Sequence, residues 1–304
     1  MDREIEVNDF AAALLSIATP LAAFDMPLLD AHGATLAEDI FAGERLVLRA
    51  GSRIRSTQIG LAASIGLNRL PTRPHPRVVV ISAGDDLVEP GQSLRDQDDE
   101  YETNSWMLTT SVKEAGAIGY RVHMIAENSE QLRLIIEDQL VRADLIVISG
   151  ESHDESFDLI TSTLSELGEI ETLVPRLADG GRHNFGTIGP DKTPVITLPG
   201  DPIAAYLSAE IFVRPMIRTM LGAANIHRSI VKAELTHAVE SKVGLTSLIR
   251  AALISDDHLK VTALPEQDLL STLSDAQGLI AIPADSSGAA AGDLVDVMVL
   301  ERNQ

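Results

Sequence analysis

Arg77-Val78-Val79-Val80-Ile81-Ser82-Ala83-Gly84-Asp85-Asp86-Leu87 is the stretch that decides the fold. Four apolar, β-branched residues in a row, without polar alternation, predict a strand buried on both faces, as in the middle of a parallel sheet. The run then breaks into Gly and Asp, which are loop residues. Further along, Asp144-Leu145-Ile146-Val147-Ile148-Ser149-Gly150 repeats the pattern, and Pro194 to Leu198 followed by Pro199-Gly200-Asp201 repeats it again. Between these strands lie segments with helical spacing. Asn104 is expected to cap a helix through Met107, Leu108 and Val112 that ends near Gly116. Tyr120 to Ile125 reads as a strand, with Asn128 capping the next helix. Residues 156–167 read as helix through Phe157, Ile160 and Leu164. Pro202 opens a long apolar helix to Leu221, at a position where proline is tolerated. Strands alternating with helices predict an α/β fold with a doubly wound parallel sheet.

Outward from this centre the texture changes. Upstream, Ser56 is expected to cap a helix through Ile59 and Ala62 to Gly66, and Asn8 a helix through Phe10, Leu14 and Ile17, with a short extended piece at Met26–Leu29. Downstream of Gly222, short β-like runs (231–235, 248–254, 259–264, 279–283 and 294–300) predict a small β-barrel-like domain, interrupted by a short helix at 268–273. Ser286 to Gly292 reads as a turn. The expected division is an N-terminal linker or dimerisation segment at 1–45, the α/β domain at 46–227 and the β domain at 228–304.

Composition narrows the function. Forty-five acids against 24 Lys and Arg give a formal charge of −21. So negative a surface repels phosphate backbones and anionic lipid, which argues against nucleic-acid and membrane-surface partners. With no cysteine, disulfides, thiolate zinc sites and a Cys nucleophile are excluded. The first residues lack a signal-peptide apolar region and no apolar run is long enough to span a bilayer, so a cytoplasmic location is expected. At 3% aromatics, the core must be mostly Leu, Ile, Val and Ala.

Ligands of doubly wound sheets bind beyond the carboxyl ends of the strands. Three loops leave such ends: Ser82–Leu87, running on to Gly91; Ser149–Asp158; and Leu198–Pro202. Their glycines admit a ligand to the backbone, and the helix starts that follow offer free N–H groups to an anion. Gly, Asp and Ser after a strand are also ordinary turn residues, so no loop is decisive by itself. The carboxylates Asp85, Asp86, Glu151, Asp158 and Asp201 are candidate oxygen ligands for Mg²⁺, against the alternative of a solvated acidic surface. His153, between Ser152 and Asp154, is a candidate base or an exposed loop histidine, and Trp106 reads as a packing residue.

The ordered set of motifs resembles the molybdopterin molybdenumtransferase family (MoeA and the E domain of gephyrin). Pro27-Leu28-Leu29-Asp30-Ala31 with Ala37-Glu38-Asp39-Ile40 is similar to the family's opening segment. Ala50–Ile54 and Ile59–Gly66 resemble its entry into the central domain, and Ser82–Leu87 its S-T-G-D-E-L. Tyr101, Asn104 and Ser105 match the helix start that follows. Ala143–Gly150 resembles its A-D-hydrophobic-S-G-G strand, and Leu198–Pro202 its L-P-G-N-P.

Four departures stand beside the matches. Ile40–Leu46 runs straight across the point where the family carries a further domain with a D-N-S-A-M-D-G-Y-A motif. The family's G-G-V-S-V-G is Gly150-Glu151-Ser152-His153-Asp154-Glu155 here, its K-P-G-K-P loop falls on Ala178–His183 without a lysine, and its Q-G-S falls near Glu266-Gln267-Asp268. Loss of glycines and lysines and gain of carboxylates should weaken the hold on an anionic pterin phosphate.

The resemblance therefore implies two readings. One is a degenerate member of the family that acts as a protein-binding scaffold, with cell division as a precedent among bacterial relatives. It would hold a partner peptide in a groove between the central and last domains, as gephyrin does. The other is a molybdenumtransferase that inserts molybdenum into adenylylated molybdopterin, with Asp85, Asp86, Asp144 and Asp158 as its acids. Gly84, Ser149, Gly150, Pro199, Gly200 and Asp201 would then hold molybdopterin, with Mg²⁺ as a further cofactor. Both readings imply a homodimer.

Overall fold

A computed structural model describes residues 3–84, 87–94, 99–124, 129–150, 154–255, 258–265 and 269–300. The chain opens with β1 (Arg3–Ile5) and α1 (Val7–Ile17). A small unit follows: β2 (Phe24–Pro27), β3 (Thr35–Leu36), β4 (Ile40–Ala42), β5 (Arg45–Leu48), α2 (Ser56–Ser64) and β6 (Arg69–Arg73). Next come β7 (Arg77–Ala83), the two-residue pair β8 (Leu87–Val88) and β9 (Glu100–Tyr101), α3 (Asn104–Ala115), β10 (Ile118–Met124), α4 (Ser129–Leu140), β11 (Leu145–Ser149) and α5 (Asp154–Leu167). After them run β12 (Gly168–Pro175), β13 (His183–Ile188), β14 (Thr193–Leu198) and one continuous helical rod. The rod is α6 (Pro202–Ser208), a π turn (Ala209–Val213) and α7 (Arg214–Met220). The last part holds β15 (Ile230–Leu235), β16 (Val239–Glu240), β17 (Ser247–Ser255), β18 (Leu259–Ala263), α8 (Leu269–Asp275), β19 (Gly278–Ile282), β20 (Gly288–Ala289) and β21 (Leu294–Val299).

The central sheet has the order β1-β12-β13-β14-β11-β7-β10. Alternation along its middle strands sorts the core into two layers. Val78, Val80, Leu145 and Val147 face the helices α1, α3 and α6–α7, while Val79, Ile81, Ile146 and Ile148 face α4 and α5. The expected doubly wound architecture is present, with one reversal: β13 runs antiparallel to both its neighbours. The pair β12–β13 escapes a sequence reading because His183, Asn184 and Gly186 interrupt its apolar pattern. Those polar groups are satisfied inside the fold, where Asn184 Nδ2 donates to Thr161 Oγ1 at 2.8 Å.

The front of the chain packs differently from an expected boundary at residue 45. β1 extends the central sheet in parallel with β12, and α1 buries Phe10 and Leu14 in the central core. Phe10 meets Phe212 and Phe185 edge to face, with ring centroids 4.8 and 5.4 Å apart. The unit from 24 to 73 has its own core of Ala31, Leu36, Leu48, Ile54, Ala62 and Leu70, so α2 belongs to it and not to the doubly wound layers. β4 and β5 form a hairpin closed by Gly43 and Glu44, with Gly43 at φ +62°, the left-handed region that suits glycine.

Three expected caps are corrected. α1 starts at Val7 with Glu6 as the flanking residue, placing Asn8 within the first turn. α2 starts at Ser56, and it is Arg55 whose N–H donates to Gln58 Oε1 at 3.2 Å. α3 starts at Asn104, flanked by Thr103, and the Asn104 side chain turns away from its helix. Asn128 lies outside the described residues. The rod from Pro202 to Met220 carries its π turn just before Pro215. That proline lacks the N–H which would close an ordinary turn onto Ile211, and a wider turn absorbs the defect.

The C-terminal part is a closed barrel, β15-β18-β17-β19-β21, around Ala233, Leu235, Ala251, Val261, Ile280 and Val297. Gly288–Ala289, expected as part of a turn, pairs with Val239–Glu240. The barrel is clamped to the central domain: Ile203 and Leu207 of α6 pack with Leu273 and Leu279, and Arg228 reaches back to Glu210 in the π turn. Ala178 N–H donates to Thr246 O, and Thr246 N–H to Arg176 O.

Candidate functional site

β14, β11 and β7 are adjacent and parallel, and register brings their ends level. Ser149 pairs with Ser82 on one side and Leu198 on the other. The three Gly-containing loops therefore leave the sheet side by side, at the carboxyl edge where such folds take ligands.

Asn104 ties two of them together. Its Nδ2 donates to Ser149 Oγ at 2.9 Å and to Gly200 O at 2.6 Å. Ser149 Oγ donates onward to Pro199 O at 3.3 Å. Asn104 Oδ1 is buried with no partner among the described residues, an acceptor left unspent where the loops meet. Asp201 Oδ1 accepts from Ala204 N at 2.9 Å and caps α6, which fixes the third loop. Gly150 lies against Ile160: a Cβ there would fall 2.9 Å from Ile160 Cδ1. Gly84 is buried just past β7.

Of the expected site residues, Gly84, Ser149, Gly150, Pro199, Gly200 and Asp201 are thus gathered at one edge. Asp158 is exposed, one turn inside α5. Asp85 and Asp86 lie outside the described residues, as do Glu151, Ser152, His153 and Glu266-Gln267-Asp268. Asp144 belongs elsewhere. It precedes β11, at the amino edge of the sheet, and chelates Arg77: Oδ2 accepts from the Arg77 backbone N–H at 2.7 Å and Oδ1 from Nη2 at 2.9 Å. Its role is to pair with Arg77 at the start of neighbouring strands.

Sequence reading missed the cations. The loop 178–182 carries no lysine, yet it folds so that the Arg182 guanidinium stacks on Phe157 at 4.2 Å, beside the start of α5. His183 holds this loop in place, with Nδ1 2.7 Å from Thr197 O and Nε2 3.0 Å from Gly180 O. Burial pushes His183 down to about 4, against the two carbonyls, so it is neutral at pH 7. Next to the first loop, Arg121 stacks on Trp106 at 4.1 Å and donates to Glu89 Oε1 at 2.6 Å and Ser105 Oγ at 3.1 Å. Buried Glu102 accepts from the Ser105 N–H at 2.7 Å and braces the start of α3. Trp106 is half exposed, so its ring is a platform for Arg121 more than core. Neither arginine is part of a local motif, and only the fold places them here.

The described residues hold no cluster of three or more His, Cys, Asp or Glu side chains able to ligate a metal. One of the available carboxylates, Asp201, is already spent on the α6 cap. Three of the five candidate Mg²⁺ ligands, Asp85, Asp86 and Glu151, lie outside the described residues.

Level loops on a parallel sheet, joined to a closed five-stranded barrel, define an α/β protein whose candidate ligand edge lies at the carboxyl ends of β7, β11 and β14. Residues 79–219 match the family described as "Probable molybdopterin binding domain", and residues 232–300 match "MoeA C-terminal region (domain IV)". The chain belongs to the MoeA family. It is 32% identical over 278 residues to molybdopterin molybdenumtransferase 1 of Mycobacterium tuberculosis, covering 88% of this chain and 64% of that protein. It is 33% identical over 270 residues to molybdopterin molybdenumtransferase 2 of the same organism, covering 86% and 65%. The chain thus spans just under two thirds of the length of these relatives. Its fold is similar to the crystal structure of the molybdopterin biosynthesis moea protein from Pyrococcus horikosii, with a TM-score of 0.82 at 19% identity, over 99% of this chain and 100% of that one.

Proposed function

We propose that this chain works in molybdenum cofactor biosynthesis, holding adenylylated molybdopterin at the level ends of β7, β11 and β14 for the insertion of molybdenum. The observation that carries the reading is the tie from Asn104 to Ser149 and Gly200, which fastens two glycine loops at the ligand edge of the sheet. In this reading Gly84, Ser149, Gly150, Pro199 and Gly200 line the ligand, and Asp201 holds the third loop in shape. Arg182 offsets the acids that replace the family's glycines. Asp158 is the candidate acid on the helix that follows the second loop. Molybdate is the second substrate, and no step is assigned to Mg²⁺.

The scaffold reading has less behind it. The relatives named above are molybdenumtransferases. The junction that was expected to form a peptide groove is occupied on its α6 side by Ile203, Leu207, Leu273 and Leu279. The hairpin β4–β5 closes where the family carries its further domain, so the acid of that domain has no counterpart in this stretch. Complementation of a strain that lacks its molybdenumtransferase tests the proposal, alongside direct binding of adenylylated molybdopterin to the purified chain. Restored molybdoenzyme activity is expected. Absence of both binding and rescue would overturn it.

A further inference from the structure

The amino edge of the central sheet holds a feature that the ligand site does not use. A cavity of about 280 Å³ lies between the small N-terminal unit, which contributes Gly33, Thr35 and Arg53, and the central domain, which contributes His75, Lys113, Glu114, Arg218 and Leu221. α3 connects the two edges: Asn104 opens it beside the loops, and Lys113 and Gly116 close it at the cavity. Twelve residues of α-helix separate them by about 18 Å, so the cavity is distinct from the loop site.

Its charge runs against the rest of the molecule. In a chain of net charge −21, three permanent cations and one acid line this space. Among the described residues, Arg53 and Lys113 make no ion pair or side-chain hydrogen bond, and Arg218 spends only Nε, on Asn225 O at 3.2 Å. The single acid, Glu114, is drawn 3.7 Å from Arg228. Burial lowers the Arg218 pKa, and the neighbouring Arg53 lowers it further, so the two guanidiniums repel one another. One turn back on the same face of α7, Arg214 buries Nε and Nη1 with no hydrogen-bond partner among the described residues. The C-terminal dipole of α3 accounts for Lys113 in its last turn. It does not account for Arg53, which another unit of the fold presents to the same space and whose backbone is held by its pairing with Thr35. His75 Nδ1 lies 2.6 Å from Gly116 O, which leaves Nε2 as the ring atom open to a ligand.

We infer that this cavity is a second ligand site, one that takes a tetrahedral oxyanion: an inorganic dianion or the phosphate of a small ester. Arg53 and Arg218 grip it from opposite walls, and Lys113 adds a point charge. An anion seated there would also bridge the small N-terminal unit to the central domain.

The test is calorimetric titration of the full chain with inorganic phosphate, and separately with AMP, at constant ionic strength. Phosphate is expected to bind, and the exposed double variant Arg53→Ala/Lys113→Ala to weaken it by about ten-fold or more. A control of equal charge change on the barrel, Lys232→Ala/Lys242→Ala, should leave it unaltered. Circular dichroism verifies that the variants are folded, and Arg53→Gln alone serves if the double variant is not. AMP lost in parallel with phosphate assigns the site to phosphate esters; AMP indifferent to the cavity variants assigns it to the free oxyanion. Undetectable phosphate binding at millimolar concentration, or equal weakening in the barrel control, would overturn the inference.

Discussion

Asn104 Nδ2 lies 2.9 Å from Ser149 Oγ and 2.6 Å from Gly200 O, so one amide at the start of α3 fastens the ends of two neighbouring strands. An asparagine placed to cap a helix instead holds the candidate site together. Replacing it with Ala strands the Gly200 carbonyl and should cost about 1–3 kcal/mol. Asn104→Asp should cost more at pH 7, because an ionised carboxylate faces the Gly200 oxygen, and should recover as the pH is lowered. Urea denaturation of both variants reads this directly. Equal stability of wild type and both variants would show that the tie carries no weight.

His183 gives a pH signature. Its folded pKa, about 4, lies below the ordinary 6.5, so the unfolded chain takes up the proton first as pH falls. Stability from neutral His183 is fully present above pH 6.5 and drains away toward pH 4, by about 3 kcal/mol over that window. The stability difference between wild type and His183→Phe should therefore shrink by that amount between pH 7 and pH 4. A difference that is constant with pH would contradict the assignment.

Arg228 and Glu210 couple the barrel to the rod. Arg228 Nε and Nη2 donate to the two Glu210 oxygens at 2.7 and 2.9 Å, and the Glu210 side chain is fully buried. Arg228 Nη1 also donates to Leu300 O at 2.6 Å. Arg228→Met leaves a buried carboxylate alone and should cost about 3–5 kcal/mol, whereas Arg228→Met with Glu210→Leu should recover most of the loss. Thermal unfolding of the three variants checks this, and additive losses would argue against the pairing.

A homodimer is expected, on a different basis from the sequence argument. α1 buries its apolar face within its own chain, so it does not call for a partner. The small N-terminal unit leaves Phe24, Leu29 and Phe41 exposed at 46, 85 and 55%, and these offer a surface for a second copy. Light scattering at micromolar concentration should give twice the chain mass. Phe41→Ser/Leu29→Ser should return a monomer, and a wild type that is already monomeric would refute the prediction.

The parts legible in the sequence are those built from local pattern. Val78–Ile81, Leu145–Ile148 and Val195–Leu198 read as buried strands because short runs rich in apolar and β-branched residues, bounded by glycine loops, are too short for helices. The barrel strands were legible within one or two residues because each is bounded by its own turn. Hidden were β12 and β13, whose polar residues look like loop until Thr197, Thr161 and Gly180 appear beside them.

For the site, the sequence by itself determined which loops exist and that they carry Gly, Ser and Asp, since turn chemistry is local. Only the tertiary structure decided which residues meet. It brought Asn104 to Ser149 across 45 positions and set Arg182 beside α5. It also removed Asp144 to the opposite edge, since a residue just before a strand and one just after it are separated by the strand's full length. The physical reason is register: hydrogen bonding across the sheet, not spacing along the chain, levels the ends of β7, β11 and β14.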